Sequence, residues 1–277
     1  MARRPATFLG KSRWFSAVAA LVILGAACRS ESEPPAGRPS TGQPSTGRPV
    51  LKPVGSVDGA PLGYVEYLPP GYGDGVARPL LVFLHGGGES GDGSETSLDA
   101  VFKLGIPKLI QNDEWPEDRP FVVLMPQYGV DASNDCQLAD EIDAFLSFAI
   151  DNYDVDEDRL YLTGISCGAI GAWDYLAENG DDVVAAAVLI AGHAEDAYAK
   201  AGCSLGEVPI WVFHGRADSI VPIDFVEDRV AAIRACEPPP EELQLTIYPG
   251  VDHNSWSRTY NLSEGHDVYA WLLDHTT

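Results

Sequence analysis

From residue 51 onward, short continuous apolar runs alternate with longer amphipathic stretches. The apolar runs predict seven strands, at 62–68, 80–84, 121–125, 159–163, 183–191, 210–214 and 243–248. Runs such as LLVFL and FVVLM are apolar at every position, which is typical of parallel strands covered by helices on both faces. The amphipathic stretches predict helices near 98–110, 138–153, 167–178, 225–236 and 266–275.

This alternation of strands and helices predicts an α/β fold, a three-layer sandwich around a doubly wound, mostly parallel sheet. Residues 192–207 are the only connection between the strands at 183–191 and 210–214, so no large cap domain is expected there. Sheets of this kind bind ligands beyond the carboxyl ends of their strands. Candidate chemistry is therefore sought where a predicted strand ends.

The amino terminus has the pattern of an export signal. Four basic residues precede a short apolar stretch at 17–27 that ends in Gly-Ala-Ala before Cys28. Residues 1–27 are predicted to be a signal peptide of the lipoprotein type with Cys28 as the lipidation site, although Leu24 lies one place further from Cys28 than in the usual motif. Cleavage by the ordinary secretory route is the alternative. The expected location is the outer face of the cell envelope, or the medium.

Residues 28–50 are rich in Pro, Ser, Thr and Gly and contain a short near-repeat. Such a composition buries too little apolar surface to offset chain entropy, so this segment is predicted to be a disordered tether before a domain at 51–277. The only membrane contact expected is through the lipid anchor.

The charge of the chain narrows the classes of partner. Lys and Arg number 18 against 41 Asp and Glu, a formal net charge of −23, which argues against nucleic-acid binding. Five cysteines without a CxxC pair argue against a zinc ribbon or a thioredoxin-type redox site. No metal cluster or phosphate-binding loop is evident, so no cofactor and no metal are expected.

A candidate nucleophile lies between a buried strand and a helix. The segment Gly164-Ile165-Ser166-Cys167-Gly168 follows the strand at 159–163 and matches G-x-S-x-G, a tight turn that exposes the serine hydroxyl at a helix N-terminus. The alternative is an N-capping serine in a glycine-rich turn. A thiol nucleophile at Cys167 is disfavoured because the flanking glycines centre the turn on Ser166; its side chain is interpreted as a small buried hydrophobe.

A second glycine-rich loop, His85-Gly86-Gly87-Gly88, follows the strand at 80–84. Backbone without side chains approaches a substrate closely, so the amides of Gly87 and Cys167 are the predicted oxyanion donors, with Gly86 or Gly88 as neighbouring alternatives to Gly87. A flexible surface loop is the other interpretation. His85 is expected to anchor the loop by hydrogen bonding.

Asp218 and His253 each follow a later predicted strand and are the candidate acid and base. The carboxylate would orient the imidazole and stabilise its charged form. Asp224 is the alternative acid, and a surface histidine beside Asp252 is the alternative interpretation of His253. The other downstream histidines belong to the final predicted helix.

The segments PLLVFLHGGGESGDG, FVVLMPQ, YDVDEDRLYLTGISCGAIGAWDYLA, IWVFHGRADSIVP and YPGVDHNSW cover most of residues 79–256. Through these segments the chain resembles the α/β-hydrolase superfamily, in which the nucleophile, acid and base follow one another in this order. More narrowly it resembles secreted bacterial esterases related to feruloyl esterases, polyhydroxybutyrate depolymerases and the phospholipase/carboxylesterase group. It departs from them at Cys167-Gly168-Ala169, where relatives often have Met-Gly-Gly.

The resemblance implies a serine carboxylic-ester hydrolase that acts through an acyl-enzyme. Small-molecule or polymeric esters are the expected substrates, with aryl and short-acyl esters favoured by the missing cap. A serine peptidase of the same fold and a catalytically inactive binding lipoprotein are the alternatives. Tyr128, Trp173 and Trp256 are candidate walls of the cleft, each equally compatible with a core position. Cys203 and Cys236 are the candidate disulfide pair.

Overall fold

The computed structural model describes residues 45–129, 136, 138–179, 183–240 and 242–277. Within these ranges eight strands form a single sheet. They are β1 (Pro49–Lys52), β2 (Tyr64–Tyr67), β3 (Arg78–Leu84), β4 (Val122–Pro126), β5 (Val155–Ile165), β6 (Ala186–Ile190), β7 (Ile210–Gly215) and β8 (Leu243–Tyr248). All seven predicted strands are present, and β1 is additional.

The spatial order of the strands is β1-β2-β4-β3-β5-β6-β7-β8. The two strands at the β1 edge pair antiparallel with their neighbours, and β4, β3 and β5 to β8 are parallel. The parallel strands carry the continuous apolar runs, because both of their faces are covered. The predicted fold class is confirmed, and no large cap is present in the described part of the chain.

In the same described ranges, eight α-helices connect or flank these strands. They are α1 (Glu95–Leu98), α2 (Gly105–Gln111), α3 (Ala139–Asn152), α4 (Cys167–Asn179), α5 (Glu195–Ala201), α6 (Asp224–Arg234), α7 (Trp256–Tyr260) and α8 (Val268–Leu273). The short helix α5 lies in the 192–207 connection, which therefore holds one helix of seven residues and a 3-10 turn instead of a cap.

The prediction of one continuous helix near 98–110 is wrong. The structure has α1, a 3-10 turn at Asp99–Lys103 and then α2. Leu104 is in the extended conformation and Gly105 has a φ of +64°, so the helical path is interrupted between the turn and α2. Pro107 then falls in the first turn of α2, where its missing N–H costs no helical hydrogen bond.

The core has two parts, one on each face of the sheet. On one face, apolar side chains of α3, α4 and α6 pack against alternate residues of the central strands. On the other face, α2, α7 and α8 supply the packing. Both faces of β3 to β7 are therefore buried, and their carboxyl ends meet at one edge that the helices leave accessible.

The folded domain begins before the predicted boundary at residue 51. Val50 and Lys52 of β1 pair with Glu66 and Tyr64 of β2, so this short segment adds an antiparallel strand at the edge of the sheet. The predicted signal peptide at 1–27, the predicted lipidation site Cys28 and the predicted tether up to residue 44 lie outside the described residues. Among those described, no helix has the length and apolarity needed to cross a membrane.

Two disulfides cross-link the domain. Cys203 pairs with Cys236, as predicted, with the Cα atoms 5.8 Å apart. Cys167 pairs with Cys136, with the Cα atoms 5.2 Å apart. The interpretation of Cys167 as a small buried hydrophobe is therefore corrected: its sulfur is bonded to Cys136 from the segment before α3, and that proximity depends on tertiary structure.

Candidate active site

Ser166 occupies the tight turn between β5 and α4. Its φ is +50°, a left-handed conformation that non-glycine residues rarely adopt. Its N–H donates to Ile190 O at 2.8 Å, and its carbonyl accepts from the amides of Ala169 and Ile170 as α4 begins. These bonds hold the strained residue and place its hydroxyl above the carboxyl edge of the sheet.

The two flanking glycines are required by close backbone approach. A Cβ on Gly164 would lie 2.5 Å from the backbone of Gly168, and a Cβ on Gly168 would lie 2.2 Å from Leu84 O. Both distances are far below van der Waals contact, so neither position accepts a side chain. The spacing of the motif thus follows from α4 crossing directly over the ends of β5 and β3.

The structure brings Ser166, His253 and Asp218 together in one hydrogen-bonded chain. Ser166 Oγ lies 2.9 Å from His253 Nε2, and His253 Nδ1 lies 2.8 Å from Asp218 Oδ2. Because a carboxylate only accepts, Nδ1 carries the proton and Nε2 is the free base facing the hydroxyl. The alternative acid, Asp224, instead begins α6.

The loops that carry the acid and the base are tied to each other. Asp252 Oδ1 accepts hydrogen bonds from the N–H and hydroxyl of Ser219 and from the N–H of His253. These bonds lower the pKa of Asp252, the Ser219 amide having the largest effect. The edge of Trp256 contacts the His253 ring, with the ring centroids 5.2 Å apart. The imidazole is therefore fixed by its neighbours on two sides.

The acid has a second histidine behind it. His214, the fifth residue of β7, is completely buried, and its Nε2 lies 3.2 Å from Asp218 Oδ2 and 2.9 Å from Val221 O. Burial lowers the pKa of His214, so the ring is neutral. His214 was not among the site residues predicted from the sequence. The signal that could have identified it is a polar residue at the end of the otherwise apolar strand IWVFH.

The predicted oxyanion donors border the nucleophile. Cys167 is the first residue of α4, so its N–H has no acceptor within the helix. The position of a Cβ on Gly86 would lie 3.7 Å from Ser166 Cβ, and the corresponding positions on Gly87 and Gly88 face open space. A substrate has room above Gly87. Because Cys167 Sγ is bonded to Cys136, Cys167 carries no free thiol.

His85 anchors the glycine loop from below. Its Nδ1–H donates to Gly86 O at 2.7 Å, and its Nε2 accepts from Tyr128 N–H at 3.2 Å. Tyr128 stacks on the imidazole and donates its hydroxyl proton to His85 O at 2.6 Å. Burial lowers the pKa of His85 to about 4, so the ring is neutral in both of these bonds.

Gln127 and Glu89 are further buried polar residues of this loop that the sequence analysis did not select. Gln127 Nε2 donates to Glu89 O and Ser97 O, and Gln127 Oε1 accepts from Gly93 N–H. Burial raises the pKa of the Glu89 carboxyl. The available signal was the placement of Gln127 directly after an apolar strand end.

The three predicted cleft walls are corrected. Tyr128 and Trp173 are fully buried, one beneath His85 and the other within the core between α4 and the sheet, so neither lines a cleft. Trp256 is also buried, and it contacts His253 instead of open solvent. Large aromatic side chains near strand ends are covered by the helices and loops that follow. In the described part of the chain, no group of three His, Cys, Asp or Glu side chains is arranged to hold a metal ion.

Comparisons with known proteins agree with this architecture. A thermostable esterase is similar, with a TM-score of 0.58 and 24% identity over 78% of this chain and 60% of that chain. Esterase 2 of the planctomycete Thermogutta terrifontis, with propionate bound, has a TM-score of 0.54 and 19% identity over 83% and 94%. An acylaminoacyl peptidase in complex with Z-Gly-Gly-Phe-chloromethyl ketone has a TM-score of 0.54 and 14% identity over 82% and 40%. At these identities the likeness establishes the fold.

The chain thus spans less than two thirds of the length of the thermostable esterase. No curated protein matches the chain in sequence. The family assignment comes from the sequence profile of the dienelactone hydrolase family, which matches residues 106–269 and so includes Ser166, Asp218 and His253. The chain belongs to the dienelactone hydrolase family, and it is a hydrolase of the α/β-hydrolase superfamily.

Proposed function

We propose that the protein is a serine carboxylic-ester hydrolase in which Ser166 is the nucleophile, His253 the base and Asp218 the acid. The observation that carries the proposal is the unbroken hydrogen-bonded chain from Ser166 Oγ through His253 to Asp218 Oδ2. Such a chain turns a weakly nucleophilic hydroxyl into one that loses its proton as it attacks.

In the first half of the reaction, Ser166 Oγ attacks the ester carbonyl while His253 Nε2 takes its proton. The negative charge on the carbonyl oxygen is stabilised by the amides of Gly87 and Cys167 and by the N-terminal end of α4. His253 then gives the proton to the leaving alcohol, and the acyl group stays on Ser166. Asp218 stabilises the charged imidazole without taking the proton.

In the second half, His253 takes a proton from water as the water oxygen attacks the acyl carbonyl. The bond between the carbonyl carbon and Ser166 Oγ then breaks, His253 returns the proton to Oγ, and the acid is released. Both halves use the same oxyanion site. The preorganised parts are the loop held by His85, Tyr128 and Gln127 and the first turn of α4. Preorganised amides of this kind need no reorientation during the reaction.

The proposed substrates are accessible aryl, short-acyl or polymeric esters. The connection between β6 and β7 holds only the short helix α5, which leaves the cleft open. Propionate, bound to the Thermogutta esterase, is a short acyl group of the proposed kind. The proposed specialisation toward hydroxycinnamoyl or polyester substrates, as in feruloyl esterases and polyhydroxybutyrate depolymerases, rests on the sequence motifs.

The test is hydrolysis of p-nitrophenyl and hydroxycinnamoyl esters by the wild type and by Ser166→Ala. The expected result is a loss of roughly 10³-fold or more in kcat for the variant, and labelling of the wild type alone by a fluorophosphonate probe. The matched control is Ser257→Ala, which removes an exposed hydroxyl of α7 outside the triad. Near wild-type turnover by Ser166→Ala would refute the mechanism.

A peptidase is the second candidate, because the acylaminoacyl peptidase shares the fold. Hydrolysis of N-acylated amino-acid anilides at rates comparable with esters would favour it. A binding lipoprotein without catalytic activity is the remaining alternative, and failure of the fluorophosphonate probe to label Ser166 would favour that.

The proposed location is the outer face of the cell envelope through a lipid on Cys28, or the medium if cleavage follows the ordinary route. The proposal is supported by the basic and apolar pattern of residues 1–27 and by the small residues before Cys28. Mass spectrometry of the mature amino terminus tests it. A diacylglyceryl group on Cys28 is expected, and an unmodified terminus would contradict lipidation.

A further inference from the structure

Two large apolar side chains are exposed next to the candidate triad. Ile220 is 68% exposed and belongs to the segment that connects Asp218 to α6, and Phe225 is 40% exposed and is the second residue of α6. Folded proteins expose neighbouring large hydrophobic residues mainly where these residues bind something. Their place at the carboxyl edge of the sheet makes them candidates for substrate contact.

The acid itself fixes the position of Ile220. Asp218 Oδ1 accepts hydrogen bonds from the N–H groups of Ile220 and Val221, both at 2.9 Å, while Oδ2 binds His253. One carboxylate therefore holds the imidazole on one side and the Ile220 backbone on the other. Ile220 keeps a fixed place beside the base, with its side chain in solvent.

Phe225 extends the same apolar surface toward β6. Its ring centroid lies 6.1 Å from that of His193, which follows β6 after two residues. The last residue of β6, Ile190, accepts the hydrogen bond from Ser166 N–H. Phe225 and His193 thus lie near the end of β6, and Ile220 lies beside Asp218 after the neighbouring strand β7.

We propose that Ile220 and Phe225 form a subsite for an apolar group of the ester, an alkyl chain or an aryl ring, while its carbonyl is at Ser166. This inference rests on the proposed ester hydrolase function. An apolar group that covers about 50 Å² of the two side chains would gain roughly tenfold in kcat/KM at 25 cal/mol per Å². An ester with an acetyl group and a small alcohol is too short to reach the two side chains, so its kcat/KM should not show this gain.

The experiment compares Ile220→Ser and Phe225→Ser with the wild type on two ester series. One series lengthens the acyl chain from acetyl to octanoyl with a fixed alcohol, and the other lengthens the alcohol with a fixed acetyl group. The matched control is Val76→Ser, an equally exposed residue (55%) before the amino end of β3. Each single variant should lose about threefold in kcat/KM on the long esters of one series, and the double variant about tenfold, with acetyl esters of short alcohols within twofold of wild type.

The series that shows the loss identifies whether the acyl or the alcohol half is bound. A uniform loss across both series, or no loss, overturns the subsite while Ser166-dependent hydrolysis leaves the proposed function standing. Absence of any ester hydrolysis by the wild type overturns both.

A second, independent observation concerns His214. Its ring lies behind the acid, its Nε2 faces two acceptors, Asp218 Oδ2 and Val221 O, and its buried Nδ1 has no hydrogen-bond partner. Two acceptors at Nε2 place the proton of the neutral ring on that nitrogen. The Nε2–H group therefore donates to Val221 O and also lies 3.2 Å from the carboxylate oxygen that accepts from His253.

We infer that His214 is a positioning residue that acts on His253 through Asp218. Its donation has two effects: it fixes the carboxylate plane, and it draws negative charge on Oδ2 away from His253. The titratable groups that interact with His214 electrostatically in the described structure are Asp218 and His253. Without the Nε2–H group of His214, Asp218 should stabilise the charged form of His253 more strongly.

The test pairs His214→Phe, which keeps a ring but has no donor, with His214→Gln, which retains an N–H donor. For His214→Phe, kcat should fall about tenfold with KM within twofold, and the acidic limb of the pH profile of kcat/KM should move to higher pH. His214→Gln should restore most of the activity and the wild-type limb. Circular dichroism and melting temperature report folding for both variants.

A merely structural role predicts a different pattern. If His214→Phe and His214→Gln lose activity only in proportion to lost folded protein, with an unmoved acidic limb, the positioning role is overturned. It is overturned equally if His214→Phe has wild-type kcat and pH profile.

Discussion

His85 should make the domain less stable in mild acid. Burial lowers its pKa from 6.5 to about 4, so between these values the unfolded chain binds a proton that the folded chain refuses. The free energy of unfolding therefore rises with pH across this window. The contribution of neutral His85 to the free energy of unfolding is fully present above about pH 6.5, and it is lost as the pH falls toward 4.

The size of the effect follows from the shift. A difference of 2.5 between the two pKa values corresponds to about 3 kcal/mol in full, of which about 2 kcal/mol is lost between pH 8 and pH 5. The pKa of His214 is lowered in the same direction by burial, so it adds to this dependence. The acid sensitivity of the domain thus has a structural origin distinct from the protonation of His253, the proposed base.

Urea denaturation at pH 8 and pH 5 measures the effect. His85→Gln, which keeps polar atoms but does not titrate, should lose about 2 kcal/mol less between the two pH values than the wild type. His275→Gln is the control for loss of an imidazole, because His275 is distant in sequence from the glycine loop. Equal pH dependence in His85→Gln and the wild type would show that His85 is not held neutral by burial.

Three further outcomes are expected. Gly168→Ala should destabilise the domain by more than about 3 kcal/mol and abolish activity, because the added Cβ would lie 2.2 Å from Leu84 O. Gly88→Ala is the control and should fold normally, because a Cβ there faces open space. Equal melting temperatures of the two variants would contradict the clash. Gln127→Leu should lower the free energy of unfolding by about 3 kcal/mol, because three hydrogen bonds of a buried side chain disappear. Urea denaturation measures this, and an unchanged midpoint would show that these hydrogen bonds do not stabilise the domain. Cys136→Ser should lower the free energy of unfolding by about 2–4 kcal/mol relative to the oxidised wild type, because it removes the disulfide. The measurement is repeated with reductant, and a loss of similar size in both conditions would point to a cause other than the disulfide.

Much of the fold was predictable from local sequence. Apolar runs such as LLVFL are long enough, and sufficiently distinct from their surroundings, to identify every strand of the parallel sheet. The interruption between α1 and α2 was not predicted, because the apolar spacing alone does not reveal that Leu104 and Gly105 leave the helical conformation. Strand β1 was missed because four residues are too few to show a period, and their pairing with β2 is a tertiary contact.

The sequence by itself determined where chemistry was to be sought. Parallel strands bring their carboxyl ends to one edge, so residues that directly follow β5, β7 and β8 were expected to lie near one another, and Ser166, Asp218 and His253 do. The glycines around Ser166 carried further information, because only a residue without a side chain fits where two backbones cross.

Only the tertiary structure decided which side chains surround these three. The place of His214 behind the acid, the clamp made by Gln127, the bond between Cys136 and Cys167 and the burial of Tyr128 and Trp173 all depend on neighbours from distant elements. Periodicity reports whether a residue faces inward, since that is a property of its own helix or strand. It carries no record of which residue of another element meets it there, because that depends on how the elements pack in three dimensions.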